Sequence, residues 1–171
     1  MNKTLIVYYS RKGENYWNGS IKNLSKGNTE IVAKMIQEIT EGDLFEVDTV
    51  NSYAKDYHTC TEEAKKELQN NDRPELKGYL DSLEPYDTIF VGFPNWWGTM
   101  PMAMFTFLEH YNLSGKRILP FCTNEGSGMG NSERDLKKIC KGASVEKGLP
   151  IRGTQAANSR KTVETWVKSF R

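Results

Sequence analysis

Short apolar runs alternate along this chain with segments of helical periodicity, and this alternation constrains the fold more than any other feature. Residues 5–9 form a continuous apolar run of strand length, typical of a strand buried on both faces of a parallel sheet. From Glu30, apolar residues recur at helical spacing as far as Gly42, a plausible helix stop. Further strands are predicted over 44–47, 88–93, 117–123 and 145–151, and further helices over 56–70, 102–111, 131–140 and after Ser159. The pattern predicts an α/β fold with right-handed crossovers and helices on both faces of the sheet.

Prolines weaken two of these strand predictions. Pro120 lies inside the fourth predicted strand, and a proline has no N–H to donate to a strand ladder. Gly148 and Pro150 interrupt the last strand in a similar way. We therefore still predict both strands, although the proline in each of them cannot donate a ladder hydrogen bond.

Composition limits the classes of protein that this chain can represent. A chain of 171 residues is most simply one domain, 1–171, able to bury a core without disulfides or metals. Its net charge of +1 gives no drive toward nucleic acid or an anionic membrane, and neither a signal peptide nor a membrane-spanning run is evident. The three cysteines lack a C-x-x-C spacing, and His58 and His110 have no ligand spacing to other residues. We expect a cytoplasmic protein with free thiols and neither nucleic acid nor membrane as a partner.

Ligands of doubly wound sheets bind outside the carboxyl ends of the strands, where three segments of this chain should meet. The first strand ends at Ser10 and leads, through a loop rich in Gly, Asn and Ser, to residues 25–29 at the start of a helix. The first N–H groups of a helix lack intrahelical acceptors and lie at the positive end of its dipole, so this point can bind a phosphate. The alternative is that Ser25 or Asn28 only caps the helix.

The other two segments can bind a flat ring. Residues 94–101 follow the third strand and contain Trp96 and Trp97, whose indole faces stack well on a conjugated ring. Residues 123–132 follow the fourth strand and contain a glycine-rich run that a ligand can approach closely. The alternatives are that the tryptophans fold back into the core and that the glycine-rich run is a plain flexible loop. A phosphate together with a planar ring describes flavin mononucleotide (FMN) better than a dinucleotide, because no intact G-x-G-x-x-G follows the first strand.

These segments carry a resemblance to the flavodoxin-like FMN-binding family, at residues 8–11, 27–29, 92–101 and 120–128. The resemblance implies a three-layer α/β/α sandwich with a five-stranded parallel sheet in the order 2-1-3-4-5. It also implies that the phosphate is held by Ser10, Asn28 and Thr29, with Arg11 a further candidate. The isoalloxazine ring would be flanked by Pro94, Asn95, Trp96, Trp97 and Gly98, and contacted on its other edge by Thr123, Glu125, Gly126 and Gly128.

The chain departs from the simplest pattern of this family in two respects. Residues 12–24 separate Ser10 from the helix start, and their Tyr16 and Trp17 either close over the ligand or pack on the surface. This insertion leaves open whether Arg11, Lys12 or Lys26 reaches the phosphate. The second departure is charge, because electron-carrying flavodoxins are typically acidic and this chain is nearly neutral.

Three functional hypotheses follow from the sequence. In the first, the protein is an electron carrier that binds FMN and exchanges electrons with a redox partner protein or a small electron acceptor. In the second, it is an FMN-dependent NAD(P)H:quinone-type oxidoreductase, which needs space above the ring for a second substrate. The third is a scaffold without a flavin.

Overall fold

The computed structural model describes residues 3–171 and contains a central parallel sheet. The sheet strands are β1 (Lys3–Tyr8), β4 (Asp43–Glu46), β5 (Tyr86–Pro94), β6 (Arg117–Asn124), β7 (Ser144–Val145) and β8 (Leu149–Arg152). Their order is β4-β1-β5-β6-β7, and β8 also pairs with β6. Because β7 and β8 share the fifth position, this is the predicted 2-1-3-4-5 arrangement, and the predicted fold class is confirmed.

The division of the fifth strand explains how Pro120 is accommodated. On its outer side, β6 pairs with β7 at Arg117 and Ile118, and with β8 from Phe121 to Asn124. Pro120 therefore lies opposite the gap between the two short strands, where no partner strand requires its missing N–H. Pro120 and Gly148 thus mark a real interruption of the ladder, whereas Pro150 lies within β8, opposite Cys122.

Helices cover both faces of the sheet. They are α1 (Asn28–Thr40), α2 (Tyr57–Gln69), α3 (Met102–Glu109), α4 (Ser132–Ile139), α5 (Arg160–Lys168) and the 3₁₀ helix Gly153–Asn158. Helices α1 and α5 pack against alternate residues of β1 and β6, among them Ile6 and Phe121. Helices α3 and α4 pack against the opposite face, which includes Leu5 and Val91. Within residues 3–171 no helix is both long and apolar enough to cross a membrane.

The end of α1 differs in detail from the sequence prediction. Glu41, rather than Gly42, takes the left-handed conformation that ends the helix, with φ 57°. Gly42 is required for space, because a Cβ there would lie 2.8 Å from the Thr4 carbonyl oxygen. The glycine thus marks close packing of the helix end on β1.

The insertion is a β-hairpin, whereas the sequence predicts a loop. Strands β2 (Gly13–Trp17) and β3 (Ser20–Leu24) pair in antiparallel fashion, with Tyr16 opposite Ile21. Asn18 and Gly19 form the turn and have φ values of 48° and 92°. Two consecutive positive φ values are typical of the tight turns that match the twist of a hairpin.

Candidate functional site

A cavity of about 570 Å³ opens at the carboxyl edge of the sheet. Its wall is built from the start of α1, the segments that follow β5 and β6, the first two turns of α2, and the hairpin. This is the edge at which the sequence predicts that three segments meet. The cavity therefore combines the predicted phosphate end and the predicted ring-binding loops in one space.

The start of α1 offers donors for an anion. Gly27 is the N-cap and has no side chain to satisfy the first turn, so Ser25 and Asn28 do not cap the helix through their side chains. Instead, the Glu30 N–H donates to the Ser10 hydroxyl oxygen at 3.1 Å. The N–H groups of Asn28 and Thr29 lie in the first turn, where no intrahelical acceptor exists. They are available to a phosphate at the positive end of the helix.

Gly27 sets the width of this anion site. A Cβ at Gly27 would lie 2.2 Å from the Ser10 Oγ and 2.6 Å from the Arg11 carbonyl oxygen. The segment after β1 and the start of α1 therefore approach each other more closely than any side chain allows. Behind them, the hydroxyls of Thr29 and Thr123 are hydrogen-bonded at 2.7 Å in a buried position, which joins α1 to the end of β6.

Trp96 belongs to a cluster of aromatic rings at the bottom of the cavity wall. Its ring centroid lies 5.2 Å from that of Tyr9 and 5.1 Å from that of Tyr53, both edge to face. The Tyr53 hydroxyl donates to the Glu67 carboxylate at 2.5 Å. Trp96 is partly buried and packs on the hydrophobic core while still lining the cavity. Trp96 is therefore both a core residue and part of the cavity wall, the two alternatives that the sequence leaves open.

Trp97 is held in a different way and is 48% exposed. Its backbone has φ 58°, a conformation that is uncommon for a bulky residue. The indole N–H donates to the Thr61 carbonyl oxygen at 2.8 Å, and the Lys65 ammonium lies 5.2 Å from the ring centroid. These contacts fasten Trp97 to α2, across the cavity mouth from the strand that carries it.

Asn95 and Gly128 connect the tryptophan loop, residues 94–101, to the glycine-rich loop, residues 123–132. The Asn95 side-chain amide donates to the Gly128 carbonyl oxygen at 2.9 Å, and its Oδ1 accepts from the Gly98 N–H at 2.9 Å. This pair of bonds fixes the tryptophan loop against the glycine-rich loop. Gly128 therefore supports the site through its carbonyl group.

Glu125 brings a carboxyl group into the cavity. Burial raises the pKa of this carboxyl, and the nearby Asn18 amide and Arg152 guanidinium lower that pKa to a smaller extent. Gly153 lies beside it, because a Cβ there would be 2.5 Å from the Asn28 side-chain nitrogen and 3.1 Å from the Glu125 Oε1. The beginning of the 3₁₀ helix thus closes the cavity between the anion site and the glycine-rich loop.

The hairpin and α2 are fastened together and form the remaining wall. Glu14 accepts the Tyr57 N–H at 2.8 Å, and the Tyr16 and Tyr57 ring centroids are 6.2 Å apart. The Arg11 guanidinium donates to the carbonyl oxygens of Glu14, Ala54 and Lys55 at 2.9, 3.1 and 3.0 Å. Arg11 therefore joins the hairpin to the segment that precedes α2, and its donors point to carbonyl groups of the protein.

Most of the predicted cofactor-binding residues line the cavity. These are Arg11, Asn28, Thr29, Pro94, Asn95, Trp96, Trp97, Gly98, Thr123 and Glu125. Ser10, Gly126 and Gly128 do not line it: Ser10 contacts the start of α1, and the Gly126 N–H donates to the Asn124 side chain at 2.8 Å. The assignment of all thirteen to cofactor binding stays a prediction.

The sequence prediction missed the wall contributed by α2. The residues that line the cavity without having been assigned to the site are Asn15, Tyr57, Cys60, Thr61, Ala64, Asn124, Ser127 and Gly153. A signal existed, since α2 follows the second sheet position and must also begin at the carboxyl edge of the sheet. Tyr57, Cys60 and Ala64 share one narrow face of this helix, which the sequence predicts to be largely exposed to water.

Cysteine chemistry has no visible role at this wall. Burial raises the pKa of the Cys60 thiol to about 11, so the thiol is protonated at neutral pH. Cys122 and Cys140 are also free and buried. Among the described residues no group of three His, Cys, Asp or Glu side chains could hold a metal ion.

Glu67, which holds Tyr53 in the aromatic cluster, gives a testable pH dependence. Its pKa is raised chiefly by burial and further by Asp72 and Glu63, while the hydrogen bond from Tyr53 lowers it to a smaller extent, so the folded state binds more protons than the unfolded state above the unfolded-state pKa. The contribution of Glu67 to stability therefore falls as the pH rises through its unfolded-state pKa toward the raised value. Glutamine keeps an acceptor for Tyr53 and cannot ionise, so we expect Glu67→Gln to gain in melting temperature relative to wild type between about pH 4 and pH 7.

Thermal unfolding followed by circular dichroism at each pH tests this expectation. Glu62→Gln on the same helix is the matched control, because Glu62 is exposed. A difference in melting temperature between wild type and Glu67→Gln that stays constant across this pH range would contradict a raised pKa for Glu67.

Comparison with known proteins identifies the family. Residues 21–170 match the family model described as Flavodoxin. A structure from Bacteroides uniformis, assigned provisionally as a flavoprotein, is 31% identical with a TM-score of 0.77, over 98% of each chain. A second, from Bacteroides eggerthii, is 25% identical with a TM-score of 0.78, over 99% of this chain and 98% of the other. Among curated proteins, none matches the chain significantly.

The chain belongs to the flavodoxin family, as the sequence predicts. A flavoprotein from Lactobacillus acidophilus, solved in complex with FMN, shares the fold at 24% identity, with a TM-score of 0.63 over 92% of this chain and 98% of the other.

Proposed function

We propose that the protein binds FMN in the cavity at the carboxyl edge of the sheet and acts as an electron carrier. One observation carries this proposal: a single cavity joins the free N–H groups at the start of α1 to Trp96, Trp97 and the glycine-rich loop. The Lactobacillus acidophilus flavoprotein of the same fold was solved with FMN, which supports the choice of ligand. FMN supplies the redox chemistry when it is bound, by accepting and releasing electrons.

The residues of the cavity fit the parts of FMN. The phosphate would be held by the N–H groups of Asn28 and Thr29, which line the cavity, and by the Ser10 hydroxyl, which lies outside the lining against the Glu30 N–H of the same helix start. The ring would lie between the tryptophan loop and the wall that contains Tyr57. A side chain at Gly27 would collide with Ser10 and one at Gly153 with Asn28, so the two glycines let the segments around the start of α1 approach each other closely. In this role the protein orients the ring, excludes water from it and fixes the charges around it.

The phosphate contact gives a direct test of the proposed binding mode. We expect Ser10→Ala to weaken FMN binding by about tenfold to a hundredfold, because a hydrogen bond to a charged group contributes about 1.5–3 kcal/mol. The apoprotein would be titrated with FMN and the loss of flavin fluorescence recorded. Ser25→Ala is the matched control, since Ser25 is exposed beside the same helix start. Equal affinities of the two variants would contradict the placement of the phosphate.

A second candidate function, an FMN-dependent NAD(P)H:quinone oxidoreductase, is favoured by the hairpin. Asn15 and Tyr16 extend the cavity wall beyond the loops that would hold FMN, which could serve a second substrate. NADH or NADPH oxidation by the FMN-loaded protein, with a quinone as acceptor, separates the two functions. As a carrier, the protein should show no turnover above the rate of free FMN. Multiple turnovers per second, within the range typical of enzymes, would favour the reductase.

Three further proposals concern the number of domains, the location and the partner of this carrier. We propose one domain spanning 1–171, because one sheet with a hydrophobic core on each face organises the described chain. We also propose a cytoplasmic location, which is supported by three free cysteines that form no disulfide. The physiological partner would be a redox protein or a small electron acceptor.

A further inference from the structure

The hairpin and the residues that flank it concentrate positive charge beside the cavity. Residues 11–27 contain four basic residues and one acidic residue, a net charge of +3, whereas the whole chain carries +1. The acidic residue, Glu14, is engaged with the Tyr57 N–H, and Arg11 is engaged with backbone carbonyls. The exposed charges that remain are Lys12, Lys22 and Lys26. In the part of the chain that the structure describes, none of these three lysines forms a salt bridge.

The same hairpin exposes apolar side chains. Tyr16 and Ile21 face each other across the two strands, and each is 41% exposed. Tyr16 lines the cavity, as does Trp97, so apolar surface continues from the hairpin to the cavity mouth. Exposed apolar side chains surrounded by charge are typical of a protein–protein contact.

The hairpin is a fixed element, so this surface is available without a folding step. Its root is fastened to the segment before α2 by Arg11, and its first strand to α2 by Glu14. The Lys22 ammonium lies 4.4 Å from the centroid of the Trp17 ring, which holds this charge near the turn. A preorganised charged surface can steer a partner of opposite charge toward the cavity.

We propose that the hairpin and its flanking residues, 11–27, are the docking surface for an acidic redox protein that exchanges electrons with this carrier. The proposal rests on the proposed function and names the chemistry of its partner. The three lysines and Ile21 lie outside the cavity lining, so a small anion inside the cavity would not touch them, whereas a protein surface spanning the hairpin would. The aliphatic Ile21 in the apolar part favours a protein over a nucleic acid, whose bases stack on aromatic rings.

Binding of the FMN-loaded protein to an acidic plant-type [2Fe–2S] ferredoxin tests this inference. A fluorescent label on the ferredoxin reports binding through its anisotropy, at ionic strengths of about 0.01 M and about 0.15 M. Basic cytochrome c and a single-stranded DNA serve as comparison probes. We expect the ferredoxin to bind more tightly than either, with an affinity that falls as salt rises.

Two sets of variants locate the surface. The charge reversals K12E, K22E and K26E together should weaken ferredoxin binding by at least about tenfold. The matched reversals K137E, K138E and K141E, near the end of α4, should change it by less than about twofold. Ile21→Ser should weaken binding severalfold and leave its salt dependence unchanged, because it removes only an apolar contact.

Three results would overturn the inference: equal effects of the two triple variants, tighter binding of cytochrome c or DNA than of ferredoxin, or a dimer in sedimentation that Ile21→Ser dissociates. Flavin absorbance of the same samples separates this inference from the proposed function. A protein that fails to load with FMN contradicts the proposed function, whereas a loaded protein without a preference for the acidic probe contradicts only the docking surface.

Discussion

Replacing Gly27 by alanine is expected to lower the affinity for FMN by about a hundredfold or more, equivalent to about 2.7 kcal/mol. The added Cβ would lie 2.2 Å from the Ser10 Oγ and 2.6 Å from the Arg11 carbonyl oxygen. Because one of these atoms belongs to the backbone, the segment after β1 and the start of α1 have to separate. The separation breaks the hydrogen bond between Ser10 and Glu30 and moves the phosphate donors apart.

Fluorescence titration of the variant with FMN measures the loss. Gly78→Ala is the matched control, because no atom lies within 4 Å of a Cβ at that position. The far-UV circular dichroism of Gly27→Ala should remain close to that of wild type, since the clash is confined to the start of one helix. Unchanged affinity in Gly27→Ala would exclude this helix start as the phosphate site.

The second large effect is expected in the core, at Gly92. This residue pairs with Phe121 across the two central strands, and a Cβ there would lie 2.1 Å from the ring Cζ. Phe121 is completely buried, so the ring has little space into which it can move. We expect Gly92→Ala to lower the free energy of unfolding by about 3 kcal/mol, the upper end of the usual cost of overpacking.

A double-mutant cycle isolates this contact. Phe121→Ala alone should cost about 3–5 kcal/mol through the cavity that it creates. In the double variant the new methyl group occupies part of that cavity, so the combined loss should be smaller than the sum by at least about 1 kcal/mol. Urea unfolding gives all three values. Additive losses would show that the alanine at Gly92 acts without touching the ring.

The sheet and the two loops that line the cavity at its carboxyl edge could be predicted because their signals are local. A parallel strand buried on both faces is a continuous apolar run, and the strand ends then follow from the order 2-1-3-4-5. Trp96 and Trp97 were interpreted correctly as lying at this edge, where both line the cavity. The sequence could not predict whether each tryptophan packs in the core or lines the cavity. The packing of Trp96 is set by the rings of Tyr9 and Tyr53, which are distant in sequence.

The sequence contains a local signal for the hairpin. Asn18-Gly19 is the dipeptide most typical of a two-residue hairpin turn, and it lies between two short segments of matched length. The polar composition of these segments favoured a loop, because neither strand has a buried face to produce an alternating pattern. The contacts of Arg11 and Glu14 that fix the hairpin to α2 span more than forty positions and have no local signal.

The measurement that tests the central claim most directly is the affinity of the apoprotein for FMN compared with riboflavin, which has the same ring and lacks the phosphate. Both ligands would be titrated under identical conditions and their dissociation constants compared. If the cavity joins an anion site at the start of α1 to a ring site at Trp96 and Trp97, FMN binds with one-to-one stoichiometry and at least about a hundredfold more tightly than riboflavin. Equal affinities, or no saturable binding of FMN, would contradict this account of the site.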